Sequence, residues 1–289
     1  MMAKLPDFLV IGSQKSGTTS LCGDLACNPR ISLGADKEPN FLRRSGESAE
    51  EISARYSALY RSSPPNALLG DGSTGYSKYP HVLGVPALAH EVLGRDLKLI
   101  YIVRDPVDRI VSQYVHEFSV GLVKEPIDEA IVKYARYVDT SCYYLQLQEW
   151  LRVFPHSNVL LLKFEDYFAN REAEYAKVCR FLGATSEGTR LDIGRAANAR
   201  HSEKRVSGML RELQGLPTYR KARLYFPTSI RGVPGQLVRW LFGRTPSVET
   251  TLSCAVRRYL AYRIGPDLDA FEHFADFAVE DWREALAIA

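Results

Sequence analysis

A chain of 289 residues, 46% apolar and 25% charged, fits a soluble globular protein with a real core. A net charge of +3 gives no electrostatic case for nucleic acid as a partner. No apolar run approaches the roughly 20 residues that cross a bilayer, and "MMAKLPDFLVIG" lacks the apolar core and cleavage site of a signal peptide, so a cytoplasmic protein is expected. The five cysteines, Cys22, Cys27, Cys142, Cys179 and Cys254, are odd in number and lack CxxC or Cys/His metal spacing. They read as reduced thiols, with Cys22 and Cys27 turned into a helix interior.

In chain order, "DFLVIG" reads as a first buried parallel strand. "TTSLCGDLACNP" reads as a helix stopped by Asn28 and Pro29, and "EEISARYSALYRSSPP" as an amphipathic helix. "NALLGD" is a short second strand, and "HVLGVPALAHEVLG" a helix with Pro86 near its first turn. "LKLIYIV" (97–103) is the clearest buried strand, followed by the turn "RDP" and a helix with Pro106 at its first position. "TSCYYLQLQEWLRVF" places Tyr143, Leu147, Trp150, Leu151 and Phe154 at helical spacing. "NVLLLKF" (158–164) is a further strand, and "REAEYAKVCRFLG" a helix capped by Gly183. The rest reads as helix and loop.

Strands alternating with helices predict an α/β fold, a P-loop-containing parallel sheet flanked by helices on both faces, read as one domain over 1–289. Ligands of such folds sit at the carboxyl ends of the strands, so the tips after "DFLVIG", "ALLGD" and "KLIYIV" are where chemistry is expected. At the first tip, Gly12 and Gly17 keep the spacing of a phosphate-binding loop, whose backbone N–H groups and following helix face an anion. Thr18 takes the slot of the lysine that reaches the end of a triphosphate, while Lys15 lies inside the loop. The pattern suits one phosphate with its bridging oxygen neutralised. A solvated, lysine-bearing turn is the bland alternative.

"GSQKSGTTSL" and "KLIYIVRDPVDRIVSQYVH" together resemble the sulfotransferases that use 3′-phosphoadenosine 5′-phosphosulfate (PAPS). The motifs are nearest to the carbohydrate branch, of the heparan sulfate or glycosaminoglycan type, in a soluble, bacterial-like form. The first stretch resembles the 5′-phosphosulfate loop, which implies donor contacts from Lys15, Ser16, Gly17, Thr18, Thr19 and Ser20. The second resembles the 3′-phosphate motif, which implies that Arg104 and Ser112 hold that phosphate. A guanidinium at a strand tip can fork onto two phosphate oxygens. "DKEPNFL" resembles an element in which the glutamate is general base, which implies that role for Glu38. His116, one helical turn beyond Ser112, is a second candidate base, with a packed histidine as the favoured reading. "CYYLQLQEWLRVFP", "VLLLKFEDY" and the closing "YRIGPDLDAFEHFADFAVEDW" also resemble the family. Those stretches read mainly as core, with Tyr143 facing the pocket.

The chain departs from the branch at "GDGSTGY" (70–76), where aspartate replaces a glutamate and Gly72 stands in place of a lysine, and at Asn40, which replaces a histidine. The resemblance implies in-line sulfuryl transfer from PAPS with no metal required. The expected acceptor is a hydroxyl, on a carbohydrate or glycolipid first, with another lipid, a small metabolite or a peptide tyrosine also open and an amine as the lesser choice. Arg200 and Lys204 in the basic stretch 198–210 are further candidates for the 3′-phosphate. Residues 214–248 contain no acid and carry Arg220, Lys221, Arg223, Arg231, Arg239 and Arg244, so a peripheral contact with an anionic membrane or sugar is a further expectation. A magnesium-dependent P-loop kinase or NTPase, and a non-catalytic adenosine-phosphate binding protein, are the rival readings.

Overall fold

The computed structural model describes residues 3–36, 38–43, 46–191 and 250–287. Arg200, Lys204 and the acid-free stretch 214–248 lie outside the described residues.

Five strands form one sheet: β1 (Phe8–Gly12), β2 (Ile31–Ser32), β3 (Leu68–Asp71), β4 (Lys98–Val103) and β5 (Val159–Lys163). Their order is β2-β3-β1-β4-β5, and every neighbouring pair is parallel. The pleat sends alternate residues to opposite faces. Phe8, Val10, Ile100, Ile102, Leu160 and Leu162 pack with Leu21, Leu25 and Val178 on one side. Leu9, Ile11, Leu99, Tyr101, Val103 and Leu161 pack with Ile110, Leu147, Trp150 and Leu260 on the other. Both faces are covered, which is why these strands read as unbroken apolar runs.

Helices fill the crossovers: α1 (Thr18–Ala26), α2 (Ala49–Leu59), α3 (Val85–Leu93), α4 (Pro106–Ser119), α5 (Ile127–Lys133), α6 (Arg136–Asp139) and α7 (Tyr143–Leu151). After β5 come α8 (Phe164–Ala169) and α9 (Arg171–Leu182), and α10 (Cys254–Glu272) and α11 (Glu280–Ala287) follow the undescribed stretch. Chain order and sheet order disagree at one place. From β1 the chain crosses to the edge strand β2, steps back to β3 beside β1, and then passes to β4 on the other side of β1. The helices that follow these two central strands therefore cover opposite faces: α1 contributes Leu21 and Leu25 to one core, α4 contributes Val107 and Ile110 to the other. A crevice opens between them at the carboxyl ends of β1 and β4.

Several elements differ from expectation. The third helix begins at Val85 rather than His81, because Gly84 adopts a left-handed φ of 76° and Pro86 sits in the first turn. The two-residue edge strand β2 is too short to leave a pattern in the sequence. Phe154 lies beyond the end of α7 yet is buried. Cys22 is buried as expected, but Cys27 is exposed at the carboxyl end of α1. None of the five cysteines is in a disulfide.

Candidate active site

Beyond β1 the backbone turns sharply and is pinned to the neighbouring strand, with the Ser13 N–H donating to the Ile102 carbonyl at 2.6 Å. The hydroxyls of Ser13 and Ser16 lie 2.5 Å apart, and both residues are buried. Lys15 and Gly17 take left-handed φ values of 72° and 85°. A Cβ on Gly17 would lie 2.8 Å from Phe168 and 2.9 Å from Phe164, so only glycine closes this turn against the two rings. The turn delivers the chain into α1 at Thr18, with the helix N-terminus on the crevice, where backbone N–H groups and the helix dipole favour an anion. Buried Asp24 fixes the helix from behind: it accepts from Arg171 Nε and Nη2, each at 2.8 Å, and from the Tyr167 hydroxyl at 2.7 Å.

The second turn follows β4. Pro106 opens α4, and Asp105 caps it by accepting from the Asp108 N–H at 2.8 Å. Burial raises the Asp105 carboxyl to about 6 against that hydrogen bond, and the negative charges of Asp108 and Glu165 push the same way. The Tyr143 hydroxyl holds the backbone of Arg104, donating to its carbonyl at 2.5 Å. The guanidinium lies over the Phe164 ring, 4.7 Å from its centroid, and Nη2 donates to the exposed Asp108 carboxylate. Its Nε is buried without a hydrogen-bond partner. A buried donor of this kind is costly to leave unmade, and an anion entering the crevice would satisfy it.

A third wall comes from the loop before α2 and the exit of β3. Asp71, at the end of β3, is buried and accepts from Tyr56 at 2.8 Å, Tyr76 at 2.6 Å and Ser73 at 2.5 Å. Burial raises its carboxyl from the ordinary value while the three hydroxyls oppose the rise. The Ser73 hydroxyl in turn accepts from the Asn40 N–H at 3.0 Å, and the Thr74 hydroxyl reaches both Glu38 carboxylate oxygens at 3.3 and 3.4 Å. Gly75 lets the two segments approach: a Cβ there would lie 2.4 Å from Asn40 Oδ1 and 2.6 Å from Arg43. Glu38 itself is exposed to the crevice.

These walls enclose one cleft of about 1470 Å³, lined by Lys15, Gly17, Thr18, Thr19, Ser20, Glu38, Thr74, Arg104, Ser112 and His116 among others. It exceeds the roughly 300–1,000 Å³ of an ordinary small-ligand pocket, enough for a nucleotide and a second reactant together. Ser16 is placed differently from expectation. Its side chain turns under the loop to Ser13 and its N–H is spent on the Ser13 carbonyl at 3.2 Å, so it is not part of the cleft wall. Tyr143 also departs: it is fully buried, with its ring against Tyr101, Phe271 and Trp282, and supports Arg104 instead of facing the pocket. His116 does line the cleft, one turn from Ser112. Sequence reasoning missed Gln14 and Lys78, joined at 2.8 Å, and Arg171 on the cleft wall. Nothing in the local sequence marks these residues, because their partners are distant along the chain. Among the described residues no helix is long and apolar enough to cross a membrane, and no three His, Cys, Asp or Glu side chains are grouped to hold a metal ion.

A family profile described as "Sulfotransferase domain" matches residues 74–206, which includes Arg104 and Ser112 but begins after the β1 loop. The chain is 31% identical over 193 residues to human heparan sulfate glucosamine 3-O-sulfotransferase 3B1, covering 62% of this chain and 46% of that protein. It is 32% identical over 196 residues to human heparan sulfate glucosamine 3-O-sulfotransferase 6, covering 62% and 53%. The chain thus spans about half the length of the curated relatives it matches. Among solved structures, a sulfotransferase from Alicyclobacillus acidocaldarius superposes with a TM-score of 0.66 at 20% identity, over 96% of this chain and 99% of the other. The architecture is that α/β fold, a central parallel sheet flanked by helices.

Proposed function

We propose that this chain, a member of the PAPS-dependent sulfotransferase superfamily, moves the sulfuryl group of PAPS onto an acceptor hydroxyl. One observation carries the reading: the turns that begin at Gly12 and Arg104 open onto the same cleft as Glu38. Two anion sites flanking one crevice suit a nucleotide with a phosphate at each end, and a carboxylate facing them suits an acceptor that must lose a proton.

In this reading Thr18, Thr19, Ser20 and the start of α1 hold the 5′-phosphate, while Arg104 and Ser112 hold the 3′-phosphate. The Arg104 guanidinium exchanges the exposed Asp108 carboxylate for phosphate, and its buried Nε gains an acceptor. The acceptor oxygen attacks sulfur in line as the bond from sulfur to the phosphate oxygen breaks. Lys15 stabilises the charge that builds on the departing oxygen, Glu38 takes the acceptor's proton, and adenosine 3′,5′-bisphosphate leaves. The gain comes from position and fixed charge. The Thr74 hydroxyl, shared between both Glu38 oxygens, aims the base. His116 on the same cleft is the competing base.

A carbohydrate or glycolipid hydroxyl is the acceptor we favour, on the likeness of "KEPNFL" to the carbohydrate branch and on the sugar named in the two human relatives. A cytoplasmic setting belongs to the same reading, with no disulfide among the five cysteines.

The test is transfer of radiolabelled sulfate from PAPS into a whole-cell extract by the purified chain. A labelled product that forms equally well in EDTA, and is lost with Lys15→Ala, supports the assignment. Turnover that requires ATP and collapses in EDTA would instead establish the kinase reading.

A further inference from the structure

One contact behind the cleft wall is used by none of the roles above. Lys78, beyond the exit of β3, donates from Nζ to Oε1 of Gln14, in the β1 loop next to Lys15, at 2.8 Å. An ammonium has only donors, so it takes the oxygen end of the carboxamide and leaves the N–H₂ end for another acceptor. Gln14 lines the cleft.

Both ends of the contact are anchored. The Gln14 carbonyl accepts from Arg109 Nη1 at 3.4 Å. Arg109 is fully buried and held by Ser141 at 2.6 Å, Gln113 at 2.8 Å and the Tyr137 carbonyl at 2.8 Å. Next to Lys78, the Tyr79 backbone is clamped by one carboxamide: its N–H donates to Gln146 Oε1 at 2.7 Å and its carbonyl accepts from Gln146 Nε2 at 2.8 Å. Burial lowers the Lys78 pKa, with the charges of Arg43 and Arg109 acting the same way and those of Glu38 and Glu117 opposing. A cation drawn partly out of water beside an amide is a poor structural choice unless charge arrives nearby.

We propose, on the donor reading given above, that Gln14 donates an amide N–H to a non-bridging oxygen of the transferring sulfuryl group, and that Lys78 is the positioning residue that orients this amide. Lys15 then serves the bridging oxygen while Gln14 serves the group that moves. Lys78 adds positive charge behind the amide without touching the substrate.

The difference between two nucleotides isolates this contact, because adenosine 3′,5′-bisphosphate lacks the sulfuryl group. Calorimetric titration of the full chain with PAPS and with the bisphosphate is therefore the experiment. Gln14→Ala and Lys78→Met are each expected to weaken PAPS about tenfold and to leave the bisphosphate within about twofold. The double variant is expected to lose no more than either single one, since the two residues act through one hydrogen bond. Equal weakening of both nucleotides would mean a damaged loop and would overturn the proposal, as would unchanged PAPS affinity in both variants. A wild-type chain that takes up neither nucleotide would overturn the donor reading itself, and this inference with it.

Discussion

The two ends of the cleft are built in different ways. The end proposed for the donor rests on regular structure: two β–α turns on the central strands, with α1 held by Asp24 and the Arg104 backbone held by Tyr143. The end proposed for the acceptor rests on irregular chain, the Glu38 loop and the exit of β3, tied by the Ser73 hydroxyl between buried Asp71 and the Asn40 N–H and by the Thr74 hydroxyl on Glu38. Turns on a sheet inherit its rigidity and are suited to a fixed cosubstrate. Loops tied by side chains can change partners without disturbing the sheet, so acceptor choice can vary over a constant donor site. Substitutions should therefore separate, with donor-end changes appearing in nucleotide affinity and acceptor-end changes in turnover, Lys78 excepted because it acts through Gln14.

The largest expected effect lies at the acceptor end. Glu38→Gln keeps the shape and the Thr74 contact but removes the base, and kcat should fall by about 10²–10⁴. Calorimetric affinity for adenosine 3′,5′-bisphosphate should stay unchanged. If His116→Asn gives that fall while Glu38→Gln does not, the base is His116.

Next comes Arg104→Ala at the donor end. Loss of charge-assisted bonds worth about 1.5–3 kcal/mol should weaken the bisphosphate by about tenfold to a hundredfold. Adenosine 5′-phosphosulfate, which lacks the 3′-phosphate, should bind wild type and variant alike. Equal losses for the two nucleotides would blur the distinction between the anion sites.

Asp71→Ala probes the hub of the acceptor end. It leaves the buried Tyr56 and Tyr76 hydroxyls only each other, at 3.2 Å, and so strands one donor at about 1–3 kcal/mol, so the melting temperature should drop. Turnover of the surviving fold should fall with bisphosphate affinity intact. A loss of nucleotide affinity would show that the two ends are coupled.

A last effect, on stability alone, concerns Asp267 on α10, which braces α7 by accepting from the Tyr144 and Leu145 N–H groups at 2.9 and 2.8 Å. Burial raises its carboxyl to about 6, against those hydrogen bonds. The unfolded chain releases this proton near pH 3.9. The group's contribution is therefore full below about pH 4 and is lost as pH rises through about 6. The stability margin of wild type over Asp267→Asn should shrink by about 2–3 kcal/mol between pH 4 and 7, measured by denaturant melts. A margin that grows over that range would contradict the raised pKa.

The same contrast explains what the sequence disclosed. β1, β4 and β5 are covered on both faces and therefore show as continuous apolar runs, and the Gly12–Gly17 spacing marked the loop between β1 and α1. Arg104 stands at such a strand's tip, where a ligand is expected, and its role came from the family likeness. At the acceptor end, Glu38 was reached through a family likeness alone, since an exposed glutamate in a loop has no periodicity to announce it. The Lys78–Gln14 contact joins residues 64 positions apart through the folding of the β3 exit, which no local pattern encodes. Ser16 shows a subtler limit. Spacing points to a phosphate loop, but which hydroxyls point out of it depends on backbone angles, here the left-handed turns at Lys15 and Gly17.

The claim that one nucleotide bridges the two turns is tested most directly by a crystal structure of the chain with adenosine 3′,5′-bisphosphate. The account predicts a single nucleotide with its 5′-phosphate on residues 15–20 and its 3′-phosphate within hydrogen-bond distance of both the Arg104 guanidinium and the Ser112 hydroxyl. A nucleotide held by only one of these turns, or bound outside the cleft, would contradict it.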